Sequence, residues 1–138
     1  MYKKMMFPVD LAHVDALKPA LQVAADLARH YQTEICYVSV TPTTPTRVAH
    51  TPEEYAQKLE SFAQEQANTH GCKVSSHTVR SADPAVELDD KLVEAAKDIG
   101  TDLIVMATHL PRKLDAIMPA NGSKVASHTD VSVFLVRL

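Results

Sequence analysis

Asp10 is the first residue in the chain whose position suggests chemistry, because it follows the apolar run Met5 to Val9 directly. A carboxylate placed there has two uses: it can cap a helix or loop that starts beside it, or it can accept a hydrogen bond from a ligand. His109 closes a second run, Leu103 to Ala107 followed by Thr108, and could act as a base. A histidine without a carboxylate paired to it in the same motif is more often a packing or hydrogen-bonding residue. Asn121, Gly122 and Ser123 stand at the start of a final short helix, where free N–H groups and the helix dipole favour an anion. Arg112 and Lys113 could add positive charge from the loop before it, in which Asp115 is the only acid.

Other chemistries lack their residues. The histidines at 13, 30, 50, 70, 77 and 128 form no i, i+4 pair on one helix and have no Cys or Asp at ligand spacing, so no metal site is expected. Ser123 and Ser127 lack a Gly-x-Ser-x-Gly elbow, which leaves a hydrolase unsupported. Cys36 and Cys72 show no CxxC spacing and read as buried free thiols. Glu53, Glu54, Glu60 and Glu65 read as the solvated face of a helix.

The elements that must carry these residues alternate along the chain. Met5 to Val9 is a short buried strand, and Leu17, Leu21, Ala24, Ala28 and Tyr31 recur at helical steps, with Asp15 as the expected cap. Ile35 to Val40 is the second strand, ending before a Thr- and Pro-rich loop over residues 41–51. Thr51-Pro52-Glu53-Glu54 is a capping box with proline in the first helical position, and that helix buries Tyr55, Leu59, Phe62 and Ala63 before Gly71 ends it. Cys72 to Val79 is polar enough to be an edge strand. Asp83-Pro84 repeats the cap-then-proline device ahead of Leu88, Leu92, Ala95, Ala96 and Ile99, and Gly100 stops that helix. Leu103 to Ala107 is an unbroken apolar run, the mark of a central strand covered on both faces. A short helix around Val125 and Ala126 and a fifth strand, Val131 to Val136, complete the chain. Strands alternating with helices imply right-handed crossovers, a parallel sheet between helical layers, and hence a doubly wound α/β fold. In such a sheet ligands bind beyond the carboxyl ends of the strands. Pro8-Val9-Asp10, Val40-Thr41-Pro42 and Ala107-Thr108-His109 converge there.

Composition narrows the function. A length of 138 residues suits one domain, 1–138. With a net charge of -3, no tryptophan and few aromatic residues, the chain lacks the basic, base-stacking surface that nucleic acid requires. No apolar run approaches the length of a membrane span, and Met1 to Phe7 is too short for a signal segment, so a cytoplasmic location is expected.

Four segments together resemble the universal stress protein family: Val9-Asp10, Asp83-Pro84-Ala85, Asp102-Leu103-Ile104-Val105-Met106-Ala107-Thr108-His109, and Ser132-Val133-Phe134-Leu135-Val136-Arg137. The resemblance covers nearly the whole chain. It implies a five-stranded parallel sheet of order 3-2-1-4-5 in three layers, like that of adenine nucleotide α-hydrolases, with homodimerisation through the last strand, 131–137, and ATP or AMP bound at the strand ends. It also implies that Asp10 and Val40 hold the adenine, with the expected contacts completed by Pro8, Val9, Met106, Ala107, His109, Leu110, Ala120, Asn121, Gly122 and Ser123. The family's phosphate-binding Gly-x-x-Gly and Gly-Ser/Thr positions fall, without gaps, on Ala107, Leu110 and Pro119-Ala120. Glycine lets backbone N–H groups approach a phosphate, and proline offers none. A gapped register would put Gly122-Ser123 in that role instead.

Three functions follow from this reading. The first is a dimeric, non-enzymatic module that binds ATP or AMP as a regulatory ligand in a stress response and signals to an unidentified protein partner. The second is a nucleotide-independent adaptor dimer that has lost the phosphate loop. The third is a slow nucleotide hydrolase, which would need a base and metal-holding carboxylates near the phosphates.

Overall fold

The computed structural model describes residues 1–108 and 122–138. Its elements are β1 (Lys4–Pro8), a 3-10 turn (Leu11–His13), α1 (Val14–Tyr31), β2 (Glu34–Pro42), α2 (Pro52–His70), β3 (Val74–Ser81), α3 (Pro84–Asp98), β4 (Leu103–Thr108), α4 (Gly122–Ser127) and β5 (Ser132–Arg137). All strand pairs are parallel, and the sheet runs β3-β2-β1-β4-β5. This is the expected topology, with β1 and β4 in the middle and the polar β3 at one edge.

Alternation along the strands explains why β1, β2 and β4 read as continuous apolar runs. Met5, Phe7, Val9, Ile35, Tyr37, Leu103, Val105 and Ala107 point to the face covered by α1 and α2. Met6, Cys36, Val38, Ile104 and Met106 point to the other, against Leu92, Ala95, Ala96 and Val125. A strand buried on both faces leaves few positions for a polar residue, and Ser39, a buried polar residue within β2, is hydrogen-bonded to the Val9 carbonyl. Each large aliphatic side chain enclosed this way contributes about 1.5–3 kcal/mol relative to exposure.

Helix ends set where each crossover turns. Thr51 Oγ1 accepts from the Glu54 N–H at 3.1 Å, and Gly71, at φ 69°, donates its N–H to the Ala67 carbonyl. At the end of α1 the left-handed position is taken by Gln32, at φ 56°.

Several expectations need correction. Asp15 does not cap α1; it lies in the helix's first turn, and the carboxylate that caps is that of Asp10, at the start of the 3-10 turn that precedes α1. The side chain of Asp83 makes no cap bond. Instead the Ser81 hydroxyl and the Glu87 carboxylate accept from the Asp83 N–H, each at 3.2 Å, so the device at the start of α3 is held from β3 and from inside the helix. β2 continues through Thr41 and Pro42, which pair with Arg80 and Ser81, and β3 starts two residues later than expected. Cys36 is buried, whereas Cys72 is only half-buried. Among the described residues no helix is long and apolar enough to cross a membrane.

Candidate functional site

A cleft of about 270 Å³ opens at the carboxyl ends of β1 and β2. Val9 and Asp10 follow β1, and Val40, Thr41 and Pro42 end β2. Thr46 and Val48 come from the loop after it, Tyr55 from α2, and Pro84, Ala85 and Leu88 from the start of α3. Six of these side chains are apolar or aromatic beyond the prolines, and Asp10 carries the one carboxyl group among them.

Asp10 divides its two oxygens. Oδ1 accepts from the Ala12 N–H at 2.9 Å, which caps the 3-10 turn. Oδ2 lies 3.9 Å from His13 Nε2, beyond hydrogen-bond length. Its side chain keeps 34% of its surface exposed. The two uses foreseen for this carboxylate are therefore compatible: one oxygen holds the backbone, and the other is left for a donor from the cleft.

The turn that carries Asp10 is tied to its neighbours. The Leu11 N–H donates to the Tyr55 hydroxyl at 3.2 Å, the Ser39 hydroxyl donates to the Val9 carbonyl at 2.6 Å, and the Val9 N–H donates to the Val38 carbonyl at 2.9 Å. Burial pushes the Tyr55 phenol above its ordinary pKa, with the Ser39 hydroxyl and the Leu11 N–H opposing the shift. Tyr55 thus stays a neutral hydroxyl at any ordinary pH.

The loop at residues 43–51 is organised rather than loose. The Thr46 hydroxyl accepts from the N–H groups of Val48 and Ala49 at 3.2 and 3.3 Å, and Ala49 is buried. Lys58 on α2 donates to the Val48 carbonyl, and Glu54 accepts from the His50 N–H at 3.1 Å while pairing with Lys58 at 3.3 Å. These bonds hold Val48 against the cleft.

Of the residues expected at the site, Val9, Asp10 and Val40 line this cleft together. Pro8 is buried just below it. Met106 and Ala107 are enclosed in the two cores, so their side chains face packing partners. Gly122 is buried beside Leu135, and Ser123 is exposed. His109, Leu110, Ala120 and Asn121 lie outside the described residues, as do Arg112, Lys113, Asp115 and Pro119. Sequence reasoning missed Thr46, Val48, Tyr55, Pro84, Ala85 and Leu88. One signal was available for three of them: Tyr55, Pro84 and Ala85 sit in the first turns of helices that begin at the carboxyl edge of the sheet. Among the described residues no three His, Cys, Asp or Glu side chains gather as a metal site would require.

A parallel sheet of this order, with its cleft at the carboxyl ends of the central strands, defines an α/β protein of the adenine nucleotide α-hydrolase-like class. The chain belongs to the universal stress protein family, whose sequence profile matches residues 1–137. Among curated proteins no sequence matches it significantly. Solved structures share its fold. A universal stress protein from Lactobacillus plantarum has 20% identity and a TM-score of 0.69, the match covering 99% of this chain and 98% of the other. One from Archaeoglobus fulgidus, in complex with dAMP, has 18% identity and a TM-score of 0.66, covering 97% of each chain. One from Arabidopsis thaliana, with AMP bound, has 15% identity and a TM-score of 0.64, covering 98% of this chain and 91% of the other.

Proposed function

We propose that this chain binds an adenine nucleotide, ATP or AMP, as a regulatory ligand, and that it acts as a cytoplasmic homodimer in a stress response rather than as an enzyme. The observation that carries the reading is the Oδ2 of Asp10, to which no described residue donates a hydrogen bond, in a cleft that is otherwise mostly apolar. A purine ring seats on apolar walls, and its exocyclic 6-amino group is a donor for that oxygen. A 6-oxo purine offers an acceptor at the same place and is disfavoured.

Ligand pockets usually hold about 300–1,000 Å³. A cleft near the bottom of that range holds the base and part of the sugar. In this reading Pro8, Val9, Asp10 and Val40 serve the adenine side. Met106, Ala107, His109, Leu110, Ala120, Asn121, Gly122 and Ser123 serve the sugar and phosphates. The relatives solved with dAMP and AMP support the ligand class.

A second reading, a nucleotide-independent adaptor, draws on the substitution of all four of the family's phosphate-binding motif positions, by Ala107, Leu110, Pro119 and Ala120. Isothermal titration of AMP and ATP into wild type and Asp10→Ala separates the two. Saturable heats in wild type, weakened roughly tenfold to a hundredfold in Asp10→Ala, are the expected result for loss of a charged acceptor. No heat with either nucleotide in wild type would leave the adaptor reading standing. Formation of ADP or AMP on incubation with ATP would instead revive hydrolysis.

A further inference from the structure

Asp10 is gripped on both sides by two buried hydroxyls. The residue after it donates its N–H to the Tyr55 hydroxyl at 3.2 Å, and the residue before it accepts at its carbonyl from the Ser39 hydroxyl at 2.6 Å. The two bonds hold one turn from its two ends.

Tyr55 and Ser39 are 6% and 2% exposed. Buried bonds of this kind are rigid, because breaking one leaves an unpaired group away from water. Three elements meet in this clamp: β2 through Ser39, α2 through Tyr55, and the turn after β1. Tyr55 also lines the cleft beside Asp10. Its position is thus fixed both toward the ligand space and toward the backbone that aims the carboxylate.

We propose that Tyr55, together with Ser39, is the positioning residue for the Asp10 carboxylate, and that it sets the preference of the cleft for a 6-amino purine over a 6-oxo purine. The selectivity part rests on the nucleotide reading above. The positioning part rests only on the clamp.

Titration of AMP and IMP into wild type, Tyr55→Phe and Ser39→Ala tests it, since neither substitution removes the carboxylate. Wild type prefers AMP. Tyr55→Phe lowers the ratio of AMP to IMP affinity about two- to tenfold, the worth of one neutral hydrogen bond. Ser39→Ala acts in the same direction, and the double variant loses less than the sum of the single losses, because both bonds hold one turn. A ratio within error of wild type in Tyr55→Phe, or losses that simply add, overturns the proposal.

A ligand-free measurement decides the positioning part separately. Amide hydrogen exchange at Leu11 and Ala12 accelerates in Tyr55→Phe while exchange in the middle of α2 does not. Unchanged exchange at both amides removes Tyr55 from the role. Should wild type bind neither AMP nor IMP, the nucleotide reading and the selectivity fail together, and the exchange result still settles the clamp.

Discussion

One oxygen of Asp10 caps a turn and the other, 3.9 Å from His13 Nε2, accepts no hydrogen bond from a described residue, so the two functions of this side chain can be separated by chemistry. Asparagine keeps an acceptor for the Ala12 N–H and is among the preferred capping residues. Its amide nitrogen then replaces Oδ2 and presents donors to the cleft. Asp10→Asn is expected to fold as wild type, to lose AMP affinity at least tenfold, and to gain affinity for IMP, as read by competition titration. Equal loss for both nucleotides would mean that the carboxylate acts through its charge alone. Asp10 was visible in the sequence because it directly follows a buried strand. Tyr55 was visible only as an apolar position on a helix. Its hydroxyl answers a backbone N–H 44 residues away in sequence, and nothing in local periodicity reports such a partner.

At the scale of elements, the cleft depends on how α2 and α3 begin. The first turn of α3 supplies Pro84 and Ala85 to the wall, and it is held by Glu87 rather than by Asp83. The Ser81 hydroxyl, then the Asp83 N–H, hold the Glu87 carboxyl below its usual pKa. A carboxylate whose folded pKa is depressed adds stability above its unfolded pKa, about 4.3, and that stability is lost as pH falls through the lower folded value. Thermal melts of wild type between pH 7 and pH 3 are expected to decline more steeply below about pH 4 than those of Glu87→Gln, the two curves converging in acid. Parallel curves across the range would show that Glu87 contributes nothing through its charge. The existence and order of helices and strands were legible, since capping boxes and apolar runs are local signals. The offset of β3 was not. Cys72 and Lys73 carry the same residue types as an edge strand, and its start is decided by pairing of Val74 with Ile35 on β2.

For the molecule as a whole, β5 is the edge that the proposed dimer would use. Its alternation is clear: Val131, Val133 and Leu135 pack onto the core under α3 and α4, and Val136 onto the opposite one. Phe134 points outward with 44% of its surface exposed. Val133→Lys would therefore damage the core as well as any interface, whereas Phe134→Glu tests the edge alone. Light scattering is expected to give a dimer mass for wild type and a monomer mass for Phe134→Glu, with melting little changed. A dimer of unaltered mass would assign the contact to another surface. The sequence run Val131 to Val136 showed an apolar edge but not which side chains stay free, because that depends on which face of the sheet the helices cover.

The opposite end of the sheet is closed by Asp102, whose carboxylate accepts from the N–H groups of Lys3 and Lys4. The chain ahead of β1 is thereby anchored at the amino ends of the strands, a full strand length from Asp10. An affinity handle or fluorescent fusion placed before Met1 departs from the floor of the molecule. A surface-immobilised sample made that way turns the carboxyl ends of the strands away from the surface.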